Sequence, residues 1–390
     1  MTTEAASVDQ ESGPIPLHDV EHELVRRLNA MQHPGEGPVL RACLSNLVVY
    51  CHRSEQAEKV AAEIPGIIAL HPARVLLLVG QTGNEEGDLT ASVWVRRHQV
   101  SSGRPVYSEQ VTLRAQGQAV SRLPFVVRTL LISELPINLW WAVPEPPPLG
   151  GPLLDDLAEY AQQILYDSIG WLDPARGVVA AASWLAKLAL GSRPGRWTVA
   201  ADLNWRRLRF WRRLLGQALD PASAPGALES ISEVLIEHGP HAVIQAWELA
   251  GWLGSCLGWR VERGRVQPGV EMSWKFRAPK GSPAVRFRRL SEGPSEIRRV
   301  RIACTLNGKP GALNLAFESE HRLSVMPEGI EGAVPRTMTV QTHRQAELVG
   351  QQLSDRGQDP AFMESMGLGR GLARCLLGDD REELLSNRGR

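Results

Sequence analysis

Arginine and tryptophan are interleaved in one segment near the middle of this 390-residue chain, in a pattern that could bind a protein surface or an anion. After Asp202, a plausible N-cap, apolar residues recur at helical spacing and arginines flank the apolar stripe. Trp205, Arg206, Trp211 and Arg212 are of the residue types most enriched at binding hot spots. The segment predicts one helix over 202–219, which either packs into the core with solvated arginines or docks a partner.

A second pattern could bind a metal. His18-Asp19-Val20-Glu21-His22 matches H-x-x-E-H, in which two histidines four residues apart share a helix face and can chelate zinc. No third ligand is identifiable, and the segment adjoins a polar tail. The five cysteines are scattered without a C-x-x-C pair, so neither a thiolate zinc site nor a disulfide framework is expected. We predict no metal site and reduced, mostly buried thiols.

Nucleotide and nucleophile motifs are missing from the sequence. Gly80-Gln81-Thr82-Gly83 follows a predicted strand, but it lacks the Lys-Ser/Thr ending of a phosphate-binding loop and leads into a strand. It therefore predicts a hairpin turn. No nucleophile elbow, kinase signature or dinucleotide fingerprint is present, so we expect no cofactor and no catalytic residue.

Charge narrows the classes of partner. Lys+Arg and Asp+Glu are both 43, and this balance argues against a dedicated nucleic-acid coat. The balance is uneven, because basic residues exceed acidic ones by eight over 257–301. Two alternatives to a protein-binding function stay open. One is an enzyme that clamps a phosphorylated or carboxylated small molecule with arginines, and the other is a nucleic-acid-binding module using 257–301.

The chain shows no targeting or membrane signal. Its first residues are acidic and polar, without the apolar stretch of a signal peptide, and no apolar run approaches 18 residues. A cytoplasmic protein without membrane contact is expected. Tryptophan is unusually frequent, with 12 residues against 6 Phe and 4 Tyr, and this side chain is enriched at interfaces.

The hydrophobic pattern predicts two domains after a disordered tail over 1–16. Strand, helix and strand alternate from residue 43 to 79, with Ser54 capping the helix and Pro65-Gly66 ending it, as in a parallel βαβ unit. We therefore predict an α/β domain over 17–220 with a mixed, largely parallel sheet flanked by helices. Short, evenly spaced segments after residue 257 predict a smaller α+β domain over 221–390 with an antiparallel sheet.

Trp140 and Trp141 end a short strand before a proline cluster. Neighbouring residues on a strand face opposite sides, so both rings are buried only if both faces of the sheet are covered. Otherwise one of them is displayed to a partner.

Five segments in one order resemble the OpcA family, the glucose-6-phosphate dehydrogenase assembly proteins, over roughly residues 40 to 377. They are His71-Pro72-Ala73-Arg74 before a strand, Leu135-Pro136 running into Leu139-Trp140-Trp141, Asp167-Ser168, Asp202-Leu203-Asn204-Trp205 with Trp211-Arg212, and Gly357-Gln358-Asp359-Pro360. The resemblance implies a non-catalytic protein. Family members bind glucose-6-phosphate dehydrogenase, support its active oligomer and raise its effective affinity for substrate, in the oxidative pentose-phosphate pathway.

The resemblance and the residue types together predict the partner interface. We expect Trp205, Arg206, Trp211 and Arg212 to contact the dehydrogenase, followed by Trp140 and Trp141. Structural roles at the sheet edge and the helix caps are expected for His71, Arg74, Asp167 and Ser168.

Overall fold

The computed structural model describes residues 11–31, 40–41, 43–99, 105–191, 198–267, 271–341 and 344–378. Its ten α-helices within these ranges are α1 Val20–Ala30, α2 Ser54–Leu70, α3 Leu123–Leu130, α4 Gly151–Ala158, α5 Pro174–Gly191, α6 Leu203–Arg207, α7 Arg209–Ala218, α8 Val243–Cys256, α9 Gln345–Ser354 and α10 Pro360–Leu377. None of them is long and apolar enough to cross a membrane.

The strands of the described residues form two sheets. The first contains β1 Leu40–Arg41, β2 Ser45–Cys51, β3 Ala73–Gln81, β4 Leu89–Gln99, β5 Pro105–Gln116, β6 Ile137–Trp141, β7 Gln163–Tyr166 and β8 Val199–Asp202. The second contains β9 Ile231–His238, β10 Arg260–Gln267, β11 Glu271–Arg277, β12 Ala284–Arg289, β13 Ile297–Leu306, β14 Lys309–Ser319, β15 Arg322–Glu328 and β16 Arg336–Thr339.

The first sheet is doubly wound. Its order is β1-β5-β3-β2-β6-β7-β8, with every pairing parallel except that of β4 with β5. The chain moves outward from β2 through β3 to β5, then crosses back and moves outward through β6, β7 and β8. This order puts a switch point between the carboxyl ends of β2 and β6, where open α/β sheets bind ligands.

The second sheet is mostly antiparallel, in the order β10-β11-β12-β9-β13-β14-β15-β16, and only β12 and β9 run parallel. Helices α8 and α10 pack on each other, and both contact the strands of this sheet. The indole Nε1 of Trp274 in β11 donates to the Leu372 carbonyl of α10 at 3.1 Å. The predicted combination of a largely parallel sheet and an antiparallel sheet is confirmed.

Residue alternation in the first sheet divides its side chains between two cores. Leu47, Val49 and Trp140 belong to a core closed by α2 and α9. Val48 and Trp141 belong to the larger core, which continues to the second sheet. Both faces are covered, so the strands are apolar on both sides, as parallel strands usually are.

Several local predictions differ from the structure. Pro65 lies inside α2 and does not end it, because Ile64, Ile67 and Ile68 are buried and their packing outweighs the cost of an interior proline, about 3 kcal/mol. Ser54 begins α2 without a side-chain cap. The helix expected over 202–219 is two helices, α6 and α7. Two strands, β9 and β16, were not predicted, and β9 lies at the centre of its sheet.

The N-terminal segment also differs from expectation where it is described. Residues 1–10 lie outside the described part of the chain. Residues 11–16 contact β4 and are not a free tail, since Ser12 N donates to the Val93 carbonyl at 2.9 Å and Ile15 N to the Ala91 carbonyl at 2.7 Å. The domain boundary at residue 220 stays a prediction. Beyond it, α9 packs against α2 of the first sheet.

Candidate functional site

A polar centre begins where β8 ends. Asp202 accepts hydrogen bonds from Asn204 N at 2.8 Å and from Ser168 N at 3.1 Å, so it caps α6. Asn204 Nδ2 donates to Ser168 Oγ at 3.1 Å. Arg207 donates to both carboxylate oxygens of Asp167, each at 2.7 Å. These bonds hold the carboxyl ends of β7 and β8 against the first turn of α6.

Trp205 connects α6 to α7 and α10. Its indole Nε1 donates to Asp359 Oδ2 at 2.7 Å. The guanidinium of Arg212 lies over the indole, with its Cζ 3.7 Å from the ring centroid, and the ring of Phe362 is 5.6 Å away. The Trp205 residue is only 6% exposed. Its ring is therefore a fixed platform on which Arg212 rests.

The other arginines of this segment point to the α9–α10 connection. Arg206 donates from Nε to Gln352 Oε1 at 2.8 Å and from Nη2 to Asp355 Oδ2 at 2.9 Å. Arg209 donates from Nη1 to Gln351 Oε1 at 3.2 Å. Together with Trp205 and Arg212, these side chains line a cavity of about 130 Å³ at the carboxyl end of β8.

The remaining tryptophans predicted at the interface are buried. Trp211 packs edge-on against Phe317 of β14, with ring centroids 5.5 Å apart. Trp140 is completely buried, and Trp141 stacks on Tyr50 at 4.7 Å. In this conformation these rings offer almost no surface to a partner. Their interface role stays a prediction, and the structure shows the intramolecular contacts that they make.

His71 lies between two serine hydroxyls. Its Nε2 is 3.1 Å from Ser45 Oγ and its Nδ1 is 3.2 Å from Ser354 Oγ. Burial, followed by the charge of Arg356, lowers the pKa of His71. A neutral imidazole can donate to one hydroxyl and accept from the other, which ties the start of β2 to the end of α9.

Arg74 occupies Glu21 of the candidate zinc pattern. Its Nη1 donates to Glu21 Oε1 at 2.7 Å and to the Leu130 carbonyl at 2.8 Å, and its Nη2 donates to Glu109 Oε2 at 2.7 Å. His18 is exposed beside α1. Across the described residues, no group of three potential metal-ligating side chains lies close enough to hold an ion.

A pair of buried carboxyl groups faces the polar centre, and sequence reasoning missed it. Glu248 lies in α8, and burial and the nearby Asp202 raise its pKa well above the ordinary value. Burial, and then the charge of Asp167, raises the pKa of Asp202 to about 7. Neither Glu248 oxygen has a hydrogen-bond donor among the described residues, and neither has Asp202 Oδ2. The geometry is that of two acids sharing a proton, as in a carboxyl dyad.

Other members of the centre were also missed as site residues. Gln352 and Asp355 come from the end of α9 and from the turn after it, about 150 residues from the arginine they bind. Asp359 stands in one of the five family-like segments, which was the available signal. A lone Glu248 inside an apolar helical stretch was a second signal, since a charged residue is rarely buried without a partner.

The switch point of the first sheet is filled by side chains. Tyr50 and Trp141 stack across the ends of β2 and β6. Gln56 Nε2 in the first turn of α2 donates to the Ala142 carbonyl and so bridges the two strand ends. The connection from β2 to α2 is His52-Arg53, without the glycines that let a pyrophosphate approach the backbone.

The turn predicted at Gly80–Gly83 has a different role. β3 pairs with β2 and β5, whereas β4 pairs antiparallel with β5 only. The glycine segment is therefore a connection between non-adjacent strands, and the hairpin prediction is wrong. The hairpin joins β4 to β5, and residues 100–104 of its loop lie outside the described part of the chain.

The basic segment 257–301 is largely neutralised on the second sheet. Arg286 pairs with Glu233 of β9 and lies 3.5 Å from Glu271, and Arg288 Nη1 is 3.1 Å from Glu237. Two of these acids precede the segment in sequence and meet it through the parallel pairing of β9 with β12. The predicted solvated sheet face fits these ion pairs better than an uncompensated basic patch.

The cysteines are less uniformly buried than expected. Cys51 and Cys304 are buried, whereas Cys256 is exposed. Burial raises the pKa of the Cys51 thiol to about 12 and also raises that of Cys304. Both buried thiols are therefore held protonated and unreactive.

Comparison with solved structures supports the architecture. The chain is similar to a levoglucosan dehydrogenase solved with NADH and L-sorbose, with a TM-score of 0.50, 10% sequence identity, and coverage of 87% of this chain and 98% of that one. At this identity the likeness concerns the fold alone.

Sequence comparison identifies the family. Residues 66–183 match the model of the glucose-6-phosphate dehydrogenase subunit N-terminal domain, and residues 198–366 match that of its C-terminal domain. The OxPP cycle protein OpcA of Synechocystis is 25% identical over 77% of this chain and 64% of its own length. That of Nostoc punctiforme is 31% identical over 49% of this chain and 39% of its own length. The chain thus spans less than two thirds of these relatives, and it belongs to the OpcA family of glucose-6-phosphate dehydrogenase assembly proteins.

Proposed function

We propose that this chain is a non-catalytic assembly factor and allosteric activator of glucose-6-phosphate dehydrogenase, acting in the oxidative pentose-phosphate pathway. The observation that carries the proposal is the match of both family domains, in order, over most of the chain. A partner shifts an equilibrium only by its differential affinity for the two states. Activation then requires that the chain bind the active oligomer of the dehydrogenase more tightly than its inactive form.

The filled switch point supports a non-catalytic function. A nicotinamide dinucleotide would need close backbone approach after β2, yet Gln56 bridges to Ala142 there and Tyr50 stacks on Trp141. Displacing this stack would expose apolar surface and break a buried contact. The same dehydrogenase-like architecture is thus used for purposes other than hydride transfer.

The α6–α7 surface is the proposed contact with the dehydrogenase. Arg206 and Arg212 reach the surface by the edges of their guanidinium groups, and Trp205 and Trp211 lie beneath them. The tryptophans then act by positioning the arginines, whose planar groups suit bidentate contact with carboxylates of a partner. The chain would act in the cytoplasm, without nucleic acid or membrane as partner.

Mixing the purified chain with the dehydrogenase of the same organism tests the proposal. We expect a complex of defined mass, and a lower apparent KM of the dehydrogenase for its substrate. Arg212→Ala should weaken the complex, whereas Arg213→Ala, on the exposed side of α7, should not. Unchanged mass and unchanged kinetics with the wild-type chain would contradict the proposal. Reduction of a nicotinamide cofactor by the chain alone would favour the enzyme alternative.

A further inference from the structure

The cavity at the end of β8 has an excess of positive charge. Three guanidinium groups line it, those of Arg206, Arg209 and Arg212, against the carboxylates of Asp355 and Asp359. The nearby Asp202 is held largely protonated by burial at neutral pH or below. The walls therefore carry more cationic than anionic groups.

The two carboxylates are already engaged or exposed. Asp359 accepts Trp205 Nε1 through Oδ2 and caps α10 by accepting from Ala361 N through Oδ1. It is 3.6 Å from Arg212 Nη1, beyond hydrogen-bond distance. The Asp355 side chain is 65% exposed, where water screens its charge. Neither acid fully compensates the arginines.

The arginines are therefore short of anionic partners. Arg212 Nε is buried and has no hydrogen-bond acceptor among the described residues. Burial lowers the pKa of Arg206 and of Arg212, which is the sign of a cation taken from water without full compensation. Arg209 makes its one printed side-chain hydrogen bond to the neutral Gln351.

The cavity has room for a small ligand. A water molecule needs roughly 10–15 Å³ of such space, and this cavity offers about 130 Å³. Guanidinium groups on one side and glutamine amides on the other suit a group with several acceptor oxygens at different angles. We propose that this cavity binds a small phosphate-bearing molecule, held by Arg206, Arg209 and Arg212 over the Trp205 ring.

Calorimetric titration of the chain alone with inorganic phosphate tests the site, independently of whether the chain binds a dehydrogenase. We expect saturable binding at one site per chain. Arg209→Gln removes a cation that holds no carboxylate in the fold, and it should weaken phosphate binding about tenfold, the loss of one charge-assisted hydrogen bond. Arg213→Gln, on the same helix but exposed and outside the cavity, is the matched control and should bind as wild type.

A variant with the opposite sign strengthens the test. Asp355→Asn removes a carboxylate that competes for Arg206, so it should bind phosphate more tightly than wild type. Absence of saturable phosphate binding, or an equal loss in Arg209→Gln and Arg213→Gln, would overturn the site. Acetate bound as tightly as phosphate would overturn the assignment to a phosphate group.

Discussion

The guanidinium of Arg212 lies 3.7 Å above the indole centroid of Trp205, and that indole donates its N–H to Asp359. The three side chains come from α7, α6 and the N-cap of α10. A residue predicted to contact a partner thus first joins three helices of its own chain. The arginine can meet a ligand or a partner only in the orientation that this indole sets.

Replacement of this indole should destabilise the chain. Trp205→Phe keeps an aromatic ring but removes the N–H donor and weakens the cation–π contact, leaving Asp359 Oδ2 without its 2.7 Å donor. We expect a loss of about 1–3 kcal/mol in the free energy of unfolding, measured by urea denaturation.

A double-mutant cycle controls for effects of ring size. Asp359→Ala should lose both the indole bond and the α10 cap, and the cycle with Trp205→Phe should show a coupling of about 1 kcal/mol. Additive effects would mean that the indole bond adds nothing to stability.

The buried acid pair should make stability fall as pH rises. The pKa of Asp202 is raised from 3.8 to about 7, so its carboxyl stabilises the fold fully below pH 3.8 and loses that contribution as pH rises through 7. The raised pKa of Glu248 acts in the same direction. Glu248→Gln replaces the shared proton by a permanent amide donor, so this variant should gain stability relative to wild type as pH rises from 5 to 8, at about 1.4 kcal/mol per pKa unit removed.

The measurement is the difference between the two unfolding free energies at each pH. Carboxylates with lowered pKa, such as Glu23 at about 2, act in the opposite direction, but they are common to both proteins and cancel. A constant difference across this range would show that the pair does not share a proton.

Truncation should separate the buried from the exposed aromatic side chains. Trp140→Ala empties a fully buried site and should cost about 3–5 kcal/mol in unfolding free energy. Phe125→Ala on α3, where the residue is 74% exposed, should change stability by no more than about 0.5 kcal/mol. If Trp140→Ala unfolded no more easily than Phe125→Ala, the burial of Trp140 would be refuted.

Thiol labelling should follow burial. Cys256 is exposed and should be alkylated in the native chain, whereas Cys51 and Cys304 should react only on unfolding, since burial raises the pKa of Cys51 to about 12. Peptide mass spectrometry after a timed pulse of iodoacetamide at pH 8 resolves the sites. Rapid native labelling of Cys51 would contradict its place in the core, and Cys256→Ser provides the matched control.

Sequence reasoning captured features that depend on local chemistry. The α10 bounds follow from an Asp359-Pro360 start, and the Asp202 cap follows from its position before an amphipathic run. The apolar strands β2 and β3 and the change to short strands in the second sheet follow from residue periodicity. Five ordered segments were enough to predict the family.

The sequence by itself determined the family, the two kinds of sheet and which residues carry charge or indole rings. Tertiary structure decided how these groups are used. Trp140 and Trp141 are both buried because helices cover both faces of the first sheet, which no single strand can reveal. Arg206 finds Asp355, and Asp202 finds Glu248, across long sequence separations, because only the packing of α6, α8 and α9 brings those positions together. Buried charges must be compensated in space, and spatial neighbours are set by packing between elements.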